Sequence, residues 1–464
     1  MLGPIANTFT NCFKIPELKS RILFTVALLA ICRFIAFVRI PGLDGVELTK
    51  FFERVAGSDG AGVLGMYSLF TGGALEHCAV GALGIMPYIS ATIIIQLLTA
   101  VIPQLSKLVR EEGGRAKIVQ YGRYLTVLLC LGQGMAMAIG WENPTKVFGD
   151  DRIGRLVLYS DDWIWWYRIQ TVLVLTTGSM LLMWLGEQIT ERGIGNGVSL
   201  VITIGIVARL PAAVTALKEM FISSGGIEAK FNIGHGAALL LLLLFVVAGV
   251  IAVTQAQRKI PVQYAQRAVG RKVYGGGSSF MPLRVNYAGV MPVIFAQAIL
   301  MFPQKILVFL GKSFDVKFFN DVARSLDTGA FLYLLLYGLM ILFFSYFWVA
   351  TQFNELQIAD DLKKNGGYIP GVRPGQATSD YLHNAMSRIT LAGAIFLTVI
   401  AVIPILLSSQ MTPPVPYSVS TFFGGTSLLI IVGVMLDTMR QVESHLLMRH
   451  YDGFLKKGKI RGRF

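Results

Sequence analysis

The chain has 464 residues, of which 54% are hydrophobic and only 15% are charged; its mean hydropathy is +0.61 and its formal net charge is +14. A soluble chain of this length buries its apolar residues in domain cores, whereas here they form runs of about 20 residues that suit membrane-spanning helices. The runs are continuous and do not alternate with polar residues, which excludes a soluble protein and favours helices over a transmembrane barrel.

Ten apolar segments are long enough to cross a bilayer as helices. In chain order they cover residues 21–38, 79–102, 124–141, 168–185, 197–213, 237–254, 287–310, 330–351, 389–408 and 422–440. An additional apolar stretch at residues 61–74 is too short to span. About twenty residues precede the first segment and no small-residue cleavage site follows it, so we expect a retained helix and not a cleaved signal peptide.

Charge alternates between the loops that join these segments. Loops 103–123 and 254–286 and the tail 441–464 are rich in lysine and arginine, and loop 254–286 has no acidic residue. Loop 141–167, on the other side of the predicted spans, contains four aspartates. Because basic loops face the cytoplasm, the pattern places both termini there, as an even number of spans requires.

The second and seventh segments share a short motif. Residues 84–91 read GIMPYISA and residues 289–296 read GVMPVIFA. Each segment is the second in a group of five, and because five is odd the two groups insert in opposite senses. We interpret the chain as two inverted halves, residues 1–213 and 214–440, followed by a basic tail at 441–464. Chance similarity is the alternative, since glycine and proline are common in membrane helices.

Motifs of catalysis are absent from the sequence. It has no glycine-rich phosphate loop, no His-Glu-x-x-His motif and no Gly-x-Ser-x-Gly motif, so we predict no enzymatic activity and no cofactor. The four cysteines lack metal-ligand spacing, so we predict no metal site. An ion-coupled transporter, the main alternative, normally has ionisable residues near the bilayer centre. Arg33, Arg209 and Asp437 lie toward span ends, which favours an apolar pore; a membrane-embedded enzyme or scaffold is the third class considered.

Four longer motifs carry a family resemblance. They read GIMPYISATIIIQLL at residues 84–98, MWLGEQITERGIGNGVSL at 183–200, NGGYIPGVRPG at 365–375 and FFGGTSLLI at 422–430. In these motifs, and in their order over essentially the whole chain, the sequence resembles the SecY family of protein-export channels. The resemblance implies an all-α polytopic membrane protein with ten transmembrane helices in two inverted five-helix halves that form a clamshell. It further implies an hourglass pore, a short plug helix and a lateral gate that opens to lipid.

The resemblance assigns six aliphatic side chains to a constriction ring in the pore, namely Ile85, Ile89, Val198, Ile202, Ile294 and Ile430. The first two pairs have i, i+4 spacing, which puts each pair on one helix face. A continuous aliphatic ring excludes water and ions by dewetting. Valine at position 198 departs from the isoleucine common in the family, which predicts a slightly wider throat. The plug is assigned to residues 61–74, and its residues include Gly62, Val63, Leu64, Met66, Tyr67, Leu69 and Phe70.

The resemblance assigns the lateral gate to the second and seventh spans, one from each half. Both spans carry a Met-Pro pair, and we expect Pro87 and Pro292 to break the helix ladder there and allow bending. Gln96, Asn286 and Gln297 are polar residues in or beside the same spans, able to hydrogen-bond across a pair of helices. Ordinary packing between helices is the alternative role for each of them.

Two cytoplasmic loops present basic side chains to a partner. Loop 254–286 alternates in part, which predicts a protruding hairpin, and it contains Arg258, Lys259, Arg267, Arg271 and Lys272. In loop 353–388 two Pro-Gly pairs bracket Arg373, so that this arginine is displayed on a rigid turn. The resemblance implies that these residues contact a motor ATPase and the ribosome; lipid binding and simple solvation are the alternatives. We interpret residues 187–197 as a tight loop that caps the fifth span.

The resemblance implies the central subunit of a protein translocase in the bacterial plasma (inner) membrane. Such a subunit passes unfolded preproteins across the membrane and membrane segments laterally into it. The implied partners are the small subunits SecE and SecG, the SecA motor ATPase, the translating ribosome, polypeptides that bear a signal sequence, anionic lipids, and insertase or accessory membrane subunits. Energy for transport then comes from the partner ATPase, the ribosome or the proton-motive force.

Overall fold

A computed structural model shows a chain built mainly from helices. It describes residues 15–56, 67–68, 70–111, 113–144, 156–221, 233–264, 267–269, 272–274, 278–314, 317–326, 330–410, 419 and 426–457. Six residues of the predicted sites lie outside these ranges, namely Gly62, Val63, Leu64, Met66, Leu69 and Arg271.

Long helices dominate the described part of the chain, with one small group of strands between α9 and α14. The helices are α1 (Pro16–Ile35), α2 (Gly45–Ala56), α3 (Met86–Val101), α4 (Pro103–Arg110), α5 (Gly114–Glu142), α6 (Ile164–Arg192), α7 (Gly197–Val207), α8 (Leu210–Phe221), α9 (Ile233–Gln255), α10 (Met291–Phe314), α11 (Lys317–Ser325), α12 (Phe331–Gln352), α13 (Glu355–Lys364), α14 (Gln376–Gln410) and α15 (Thr426–Lys457). The strands are β1 (Gln257–Tyr264), β2 (Arg267–Val269), β3 (Lys272–Tyr274), β4 (Ser278–Arg284) and β5 (Gly367–Tyr368).

Each of the ten predicted spans coincides with one or two of these helices. By length and composition α5, α6, α7 with α8, α9, α12 and α14 can each cross a membrane, and the bent pair α3 and α4 adds a seventh span if it is counted as one. Residues Met291–Leu300 of α10 form a shorter apolar helix. In α1 and α15 charged residues such as Arg33 and Asp437 interrupt the apolar sequence, which is why composition alone does not mark them.

The helix of the second span begins later than the sequence predicts. Residue 79 lies in a series of turns, and α3 starts at Met86. Gly84 adopts a φ of 60°, a left-handed conformation that ends the preceding turns, and Ile85 is the N-cap of the helix. Apolar composition does not reveal such a turn, because glycine is compatible with both the turn and the apolar run.

The prolines of the two Met-Pro pairs do not bend their helices, so that prediction is wrong. Pro87 lies in the first turn of α3, and Pro292 is the second residue of α10. At that position the missing N–H would have had no partner within the helix, so proline starts the helix without breaking it. The chain instead bends by 105° between α3 and α4, where Pro103 begins the second helix.

The fifth span is divided by a short turn. Its first part, α7, ends at Val207, and α8 begins at Leu210. Ala208 and Arg209 form the turn between them. The break brings the guanidinium of Arg209 out of the apolar helix and toward the segment that precedes α3.

The spanning helices pack as two groups. In the first group α5 packs on α6 and α3, and α1 and α7 both pack on α6. In the second group α9 packs on α15 and α14, while α12 packs on α10 and α14. The two groups meet where α7 contacts α15 and where α3 contacts α10. One apolar core cluster runs through both groups and joins them.

The segment between α9 and α10 forms the predicted hairpin and joins a second loop. Strands β1 and β4 are antiparallel, with Gln257 opposite Arg284 and Gln263 opposite Ser278. Strand β5, from the loop between α13 and α14, pairs with the other edge of β1. Buried Ile260 and Leu283 pack the sheet against the ends of α12 and α14. The two loops therefore form one structure at one end of the second group.

Candidate functional site

The six side chains assigned to the constriction ring come from four helices of both groups. They are Ile85 and Ile89 at the start of α3, Val198 and Ile202 in α7, Ile294 in α10 and Ile430 in α15. The five isoleucines are at most 4% exposed, and the valine is partly buried against the same apolar cluster. All six therefore belong to the apolar core cluster that runs through both groups.

A small cavity lies beside Ile85. Its volume is ≈ 30 Å³, which is large enough for a water molecule, and its walls include Arg33 and Gly205. A Cβ atom on Gly84 would lie 3.1 Å from Cγ2 of Thr71, in a backbone conformation that other residues rarely adopt. This first ring residue is therefore held by a tight glycine turn, next to a space into which its side chain can move.

The end of the predicted plug packs directly on the helices that carry the ring. Within residues 61–74, Tyr67 and Phe70 are helical and buried, and the hydroxyl of Tyr67 donates to the carbonyl of Leu83 at 3.2 Å. Gly72 has a φ of 64°, and a Cβ on it would lie 2.9 Å from Cα of Gly205 in α7. The end of the predicted plug therefore touches α7 backbone to backbone.

The polar residues assigned to the lateral gate make contacts within one group. The hydroxyl of Thr426 in α15 donates to Oε1 of Gln297 in α10 at 3.0 Å, and both residues belong to the second group. Asn286 donates to the nearby carbonyl of Gly289 at 2.9 Å. The buried Oε1 of Gln96 has no hydrogen-bond partner among the described residues. At the seam between α3 and α10 these three side chains therefore make no hydrogen bond across the gate within the described part of the chain.

Three of the predicted basic contact residues lie on one shared platform, formed where loops 254–286 and 353–388 join through the pairing of β1 with β5. Arg258 and Lys259 are exposed on β1, and Arg373 is exposed on the turn that follows β5. That turn is held by glycines at positive φ, 83° at Gly371 and 106° at Gly375. Arg267 and Lys272 lie in the short pair β2 and β3, farther along the same hairpin. Pairing between β1 and β5 was not predicted, because two residues of strand leave too little pattern to detect.

Comparison with protein families identifies this arrangement. The family model named SecY matches residues 79–439, which include all six residues assigned to the ring and loops 254–286 and 353–388. The chain belongs to the SecY family. The protein translocase subunit SecY of Chlamydia trachomatis is 41% identical over 463 residues, covering 98% of this chain and 99% of the relative. The corresponding subunit of Vibrio cholerae is 42% identical over 455 residues, covering 96% of each chain.

Solved structures share the fold of this SecY-family chain. A protein-conducting channel superimposes with a TM-score of 0.59 at 17% identity, covering 95% of this chain and 94% of the other. Sec61 in a canine ribosome–channel complex superimposes with a TM-score of 0.56 at the same identity and coverage. These matches extend over both groups of helices, so the ten-helix fold in two halves is confirmed.

A polar network beside the plug was missed at the level of sequence. Arg33 donates to the carbonyl of Gly72, and Arg209 pairs with Glu76. The sequence marks both arginines merely as charges near span ends. In the SecY fold, however, the first and fifth spans end on the side where the second begins. The signal that the sequence offered was Glu76, an acidic residue just before the second span, on the side where both arginine-bearing spans end.

Residues 187–192 are the last turns of α6, so the loop predicted at residues 187–197 is shorter than expected; its remaining part, residues 193–196, caps α7 as predicted and also joins the two halves of the SecY fold. Oδ1 of Asn196 accepts from the N–H of Ser199 at 3.3 Å, and the hydroxyl oxygen of Thr190 accepts from the N–H of Gly197 at 2.8 Å. In addition, the N–H of Gly195 donates to Oε1 of Gln441 in α15 at 2.8 Å. A loop that reads as a local cap therefore also fastens the first half to the second.

Proposed function

We propose that this chain is the central, pore-forming subunit of a protein translocase. It passes unfolded polypeptides across the membrane and releases membrane segments sideways into the lipid. The observation that carries the proposal is the apolar core cluster that joins the two halves and includes the six aliphatic residues assigned to the ring, which come from four helices. Family membership supplies the context for that core, since the relatives are named as protein translocase subunits.

The proposed pore works through the chemistry of its narrowest part. Aliphatic side chains offer no hydrogen bonds to a passing chain, so an unfolded polypeptide slides between them without being held. When nothing is in transit, a continuous apolar ring excludes water and ions by dewetting. The plug, residues 61–74, closes the same path from one side. A related SecY is described as having a plug domain that stabilises the closed state and maintains a membrane seal.

We place the lateral gate at the seam between α3 and α10. Here the two halves meet through apolar side chains such as Ile89 and Val293, both almost fully buried. Apolar contacts between helices cost little to exchange for lipid or for the apolar helix of a signal sequence. The opposite seam, between α7 and α15, includes the Gly195–Gln441 hydrogen bond and serves as the fixed side about which the gate opens.

We assign the platform of β1, β4, β5 and the Arg373 turn to docking of the energy source. Its exposed cations, Arg258, Lys259 and Arg373, suit an acidic protein surface or ribosomal RNA. The proposed partners are the SecA motor ATPase and the translating ribosome, with the proton-motive force as a further source of energy. SecE and SecG are the proposed small subunits, and anionic lipids, an insertase and accessory membrane subunits complete the assembly.

The platform sets the proposed orientation in the membrane. Because its partners are cytoplasmic, loops 254–286 and 353–388 face the cytoplasm, and an even number of spans then places both termini there. The halves, residues 1–213 and 214–440, and the basic tail at 441–464 follow from the same topology. We propose the plasma (inner) membrane of a bacterium as the location, in accord with the positive-inside rule.

Reconstitution tests the proposal directly. The chain is purified with its small subunits, placed in proteoliposomes with the motor ATPase, and supplied with a secretory precursor and ATP. We expect the precursor to become protease-protected in the wild type, and Arg373→Glu to reduce that protection strongly. Lys218→Glu, an exposed charge on α8 away from the platform, is the matched control and is expected to leave transport unchanged.

Two outcomes of this experiment contradict the proposal in different ways. If no precursor becomes protected with wild-type chain under any energy source, the translocase function is wrong. If wild type transports and Arg373→Glu transports equally well, the function stands and the docking role of the platform is wrong.

A further inference from the structure

The last part of the proposed plug and the two residues after it are held by two arginines from two different helices. Arg33, in the last turn of α1, donates through Nη1 to the carbonyl of Gly72. Arg209, in the turn between α7 and α8, donates to Oγ of Ser68 at 2.6 Å and pairs with the carboxylate of Glu76. The hydroxyl of Ser68 in turn donates to the same carboxylate at 2.9 Å. Ser68 and residues 70–76 are therefore held near the beginning, in the middle and at the end of this part of the chain.

Backbone contact places this segment against the ring helices. A Cβ on Gly72 would lie 2.9 Å from Cα of Gly205, one turn before Arg209 along the chain. The cavity beside Ile85 is lined by Arg33, Gly205 and residues of the same segment. Movement of residues 68–76 away from α7 would therefore break the contacts of both arginines and open the space next to a ring residue.

Charge makes this arrangement sensitive to one residue. A Cβ on Gly72 would lie 2.8 Å from Nη1 of Arg33, and a Cβ on the next residue, Gly73, would lie 3.4 Å from Nη2 of Arg209. The two guanidiniums therefore flank neighbouring residues, and their like charges repel each other. Glu76 is the carboxylate paired with Arg209; the side chain of Glu76 is 18% exposed and that of Arg209 is 27% exposed. Both arginines also lie where helices α1 and α7 end, and the negative end of a helix dipole favours a cation there. The ends of α1 and α7 thus fix the positions of the two arginines, and the arginines in turn bind Ser68, Gly72 and Glu76.

We propose that Glu76, Arg33 and Arg209 form a charged latch that keeps Ser68 and residues 70–76 on α7 in the closed channel and releases them when it opens. The latch residues are positioning residues, since none of them lies in the apolar ring. The proposal rests on the proposed channel function and on the position of the plug. It goes beyond them by naming the contacts that set how readily the channel opens.

Ion conductance of the purified channel in planar bilayers tests the latch. Glu76→Gln keeps the shape of the side chain but leaves two facing guanidiniums without the carboxylate, and we expect the open fraction to rise by about fivefold. Arg209→Gln removes the ion pair and the repulsion together, so it should raise the open fraction less. The double variant Glu76→Gln/Arg209→Gln should behave like Arg209→Gln, which would show that the two residues are coupled.

A matched ion pair elsewhere provides the control. Arg168 and Glu142 join α6 to α5 at 2.9 Å, with side chains 21% and 16% exposed, and neither touches residues 68–76. Glu142→Gln should leave the channel as tight as wild type. If Glu76→Gln lowers the yield of folded protein, Ser68→Ala is the milder substitution; it removes the two hydrogen bonds of the Ser68 hydroxyl, keeps the Arg209–Glu76 ion pair and should still raise conductance.

The outcomes separate the latch from the channel function. A rise with Glu76→Gln and none with Glu142→Gln supports the latch. Equal conductance of Glu76→Gln, Ser68→Ala and wild type, in channels that transport precursor normally, overturns the latch and leaves the proposed function intact. A wild-type chain that neither transports nor opens overturns the proposed function itself.

Discussion

The two Gly-aliphatic-Met-Pro turns, one in each half of the chain, share a backbone and differ in packing. Gly84 and Gly289 have nearly identical φ angles of 60° and 63°, and each is followed by an aliphatic residue and then by the first turn of a helix. Both aliphatic residues pack on a glycine of a neighbouring helix, Ile85 on Gly186 and Val290 on Gly433. The motif therefore specifies the same local structure twice, once in each half of the chain.

The tightness of these two contacts is very different. A Cβ on Gly186 would lie 3.6 Å from Cδ1 of Ile85, which is an ordinary van der Waals distance. A Cβ on Gly433 would lie only 2.1 Å from Cγ1 of Val290. The first turn has a cavity beside it, and the second is wedged against α15. A repeated sequence thus fixes the turn, whereas packing decides which half has space to move.

The largest effect is expected at the wedged glycine. Gly433→Ala forces a methyl group into a buried, stiff valine side chain, and we expect a loss of about 3 kcal/mol in stability from overpacking. Thermal unfolding of the purified protein in detergent measures the loss. Gly186→Ala, the matched substitution at the looser contact, should change the unfolding temperature little.

A compensating substitution confirms the cause. Val290→Ala removes the atom that the new methyl group meets, so Gly433→Ala/Val290→Ala should regain most of the lost stability. If Gly433→Ala and Gly186→Ala unfold at the same temperature, the difference in packing between the halves is not real.

The ring residues provide the second test, because each half contributes to the ring. Ile85→Asn and Ile294→Asn bury an amide with no partner while the ring is closed, at a cost of about 1–3 kcal/mol, and the amide is hydrated when the ring opens. We expect each to shift the channel toward its open state and raise ion conductance. The double variant should conduct more than either single one.

A lipid-facing position distinguishes gating from misfolding. Leu241 in α9 is 66% exposed and outside the ring, so Leu241→Asn should lower the yield of folded protein without making surviving channels conduct. Conductance of Ile85→Asn and Ile294→Asn equal to wild type would mean that the throat lies elsewhere.

Sequence alone was enough for the number and order of the spans, since long apolar runs and basic loops are dictated by the bilayer. It was also enough for the hairpin at residues 254–286, where alternation marks strands. It placed the start of the second span at residue 79 instead of Met86, because an apolar run does not show where a glycine turn interrupts it.

The contacts that distinguish one half from the other could not be predicted. From the sequence alone, Pro87 is expected to break its helix. The structure shows that the helix begins at Met86, so that Pro87 lies in the first turn, where proline does not disrupt a helix. The pair of Arg209 and Glu76 joins residues 133 positions apart, which no local pattern marks. Such contacts depend on the three-dimensional arrangement of the halves and not on periodicity.

The turn glycines themselves should show a smaller effect. Gly84→Ala and Gly289→Ala both place a Cβ in the left-handed region, which costs about 1–2 kcal/mol. Gly84→Ala should cost more, since its methyl group would lie 3.1 Å from Thr71 whereas that of Gly289 meets only an aspartate oxygen at 3.4 Å. Gly132→Ala, in an open position on α5, should raise the unfolding temperature through helix propensity. Equal unfolding temperatures for Gly84→Ala, Gly289→Ala and wild type would contradict the turn conformation.

The smallest effect is expected from the two glutamines of the proposed gate helices. As with the turns, the residue in the second half, Gln297, makes the closer contact, whereas Gln96 in the first half makes the looser one. Gln297→Leu leaves the buried hydroxyl of Thr426 without its acceptor, so we expect a loss of about 1 kcal/mol. Gln96→Leu removes an oxygen that has no hydrogen-bond partner among the described residues, so it should be neutral or slightly stabilising. Thermal unfolding compares the two, and Thr426→Val in the Gln297→Leu background should recover the loss because both polar groups are then gone. A greater loss for Gln96→Leu would mean that its oxygen is satisfied in the membrane, across the gate or by a partner, and that the first half is the more tightly bonded side of the seam.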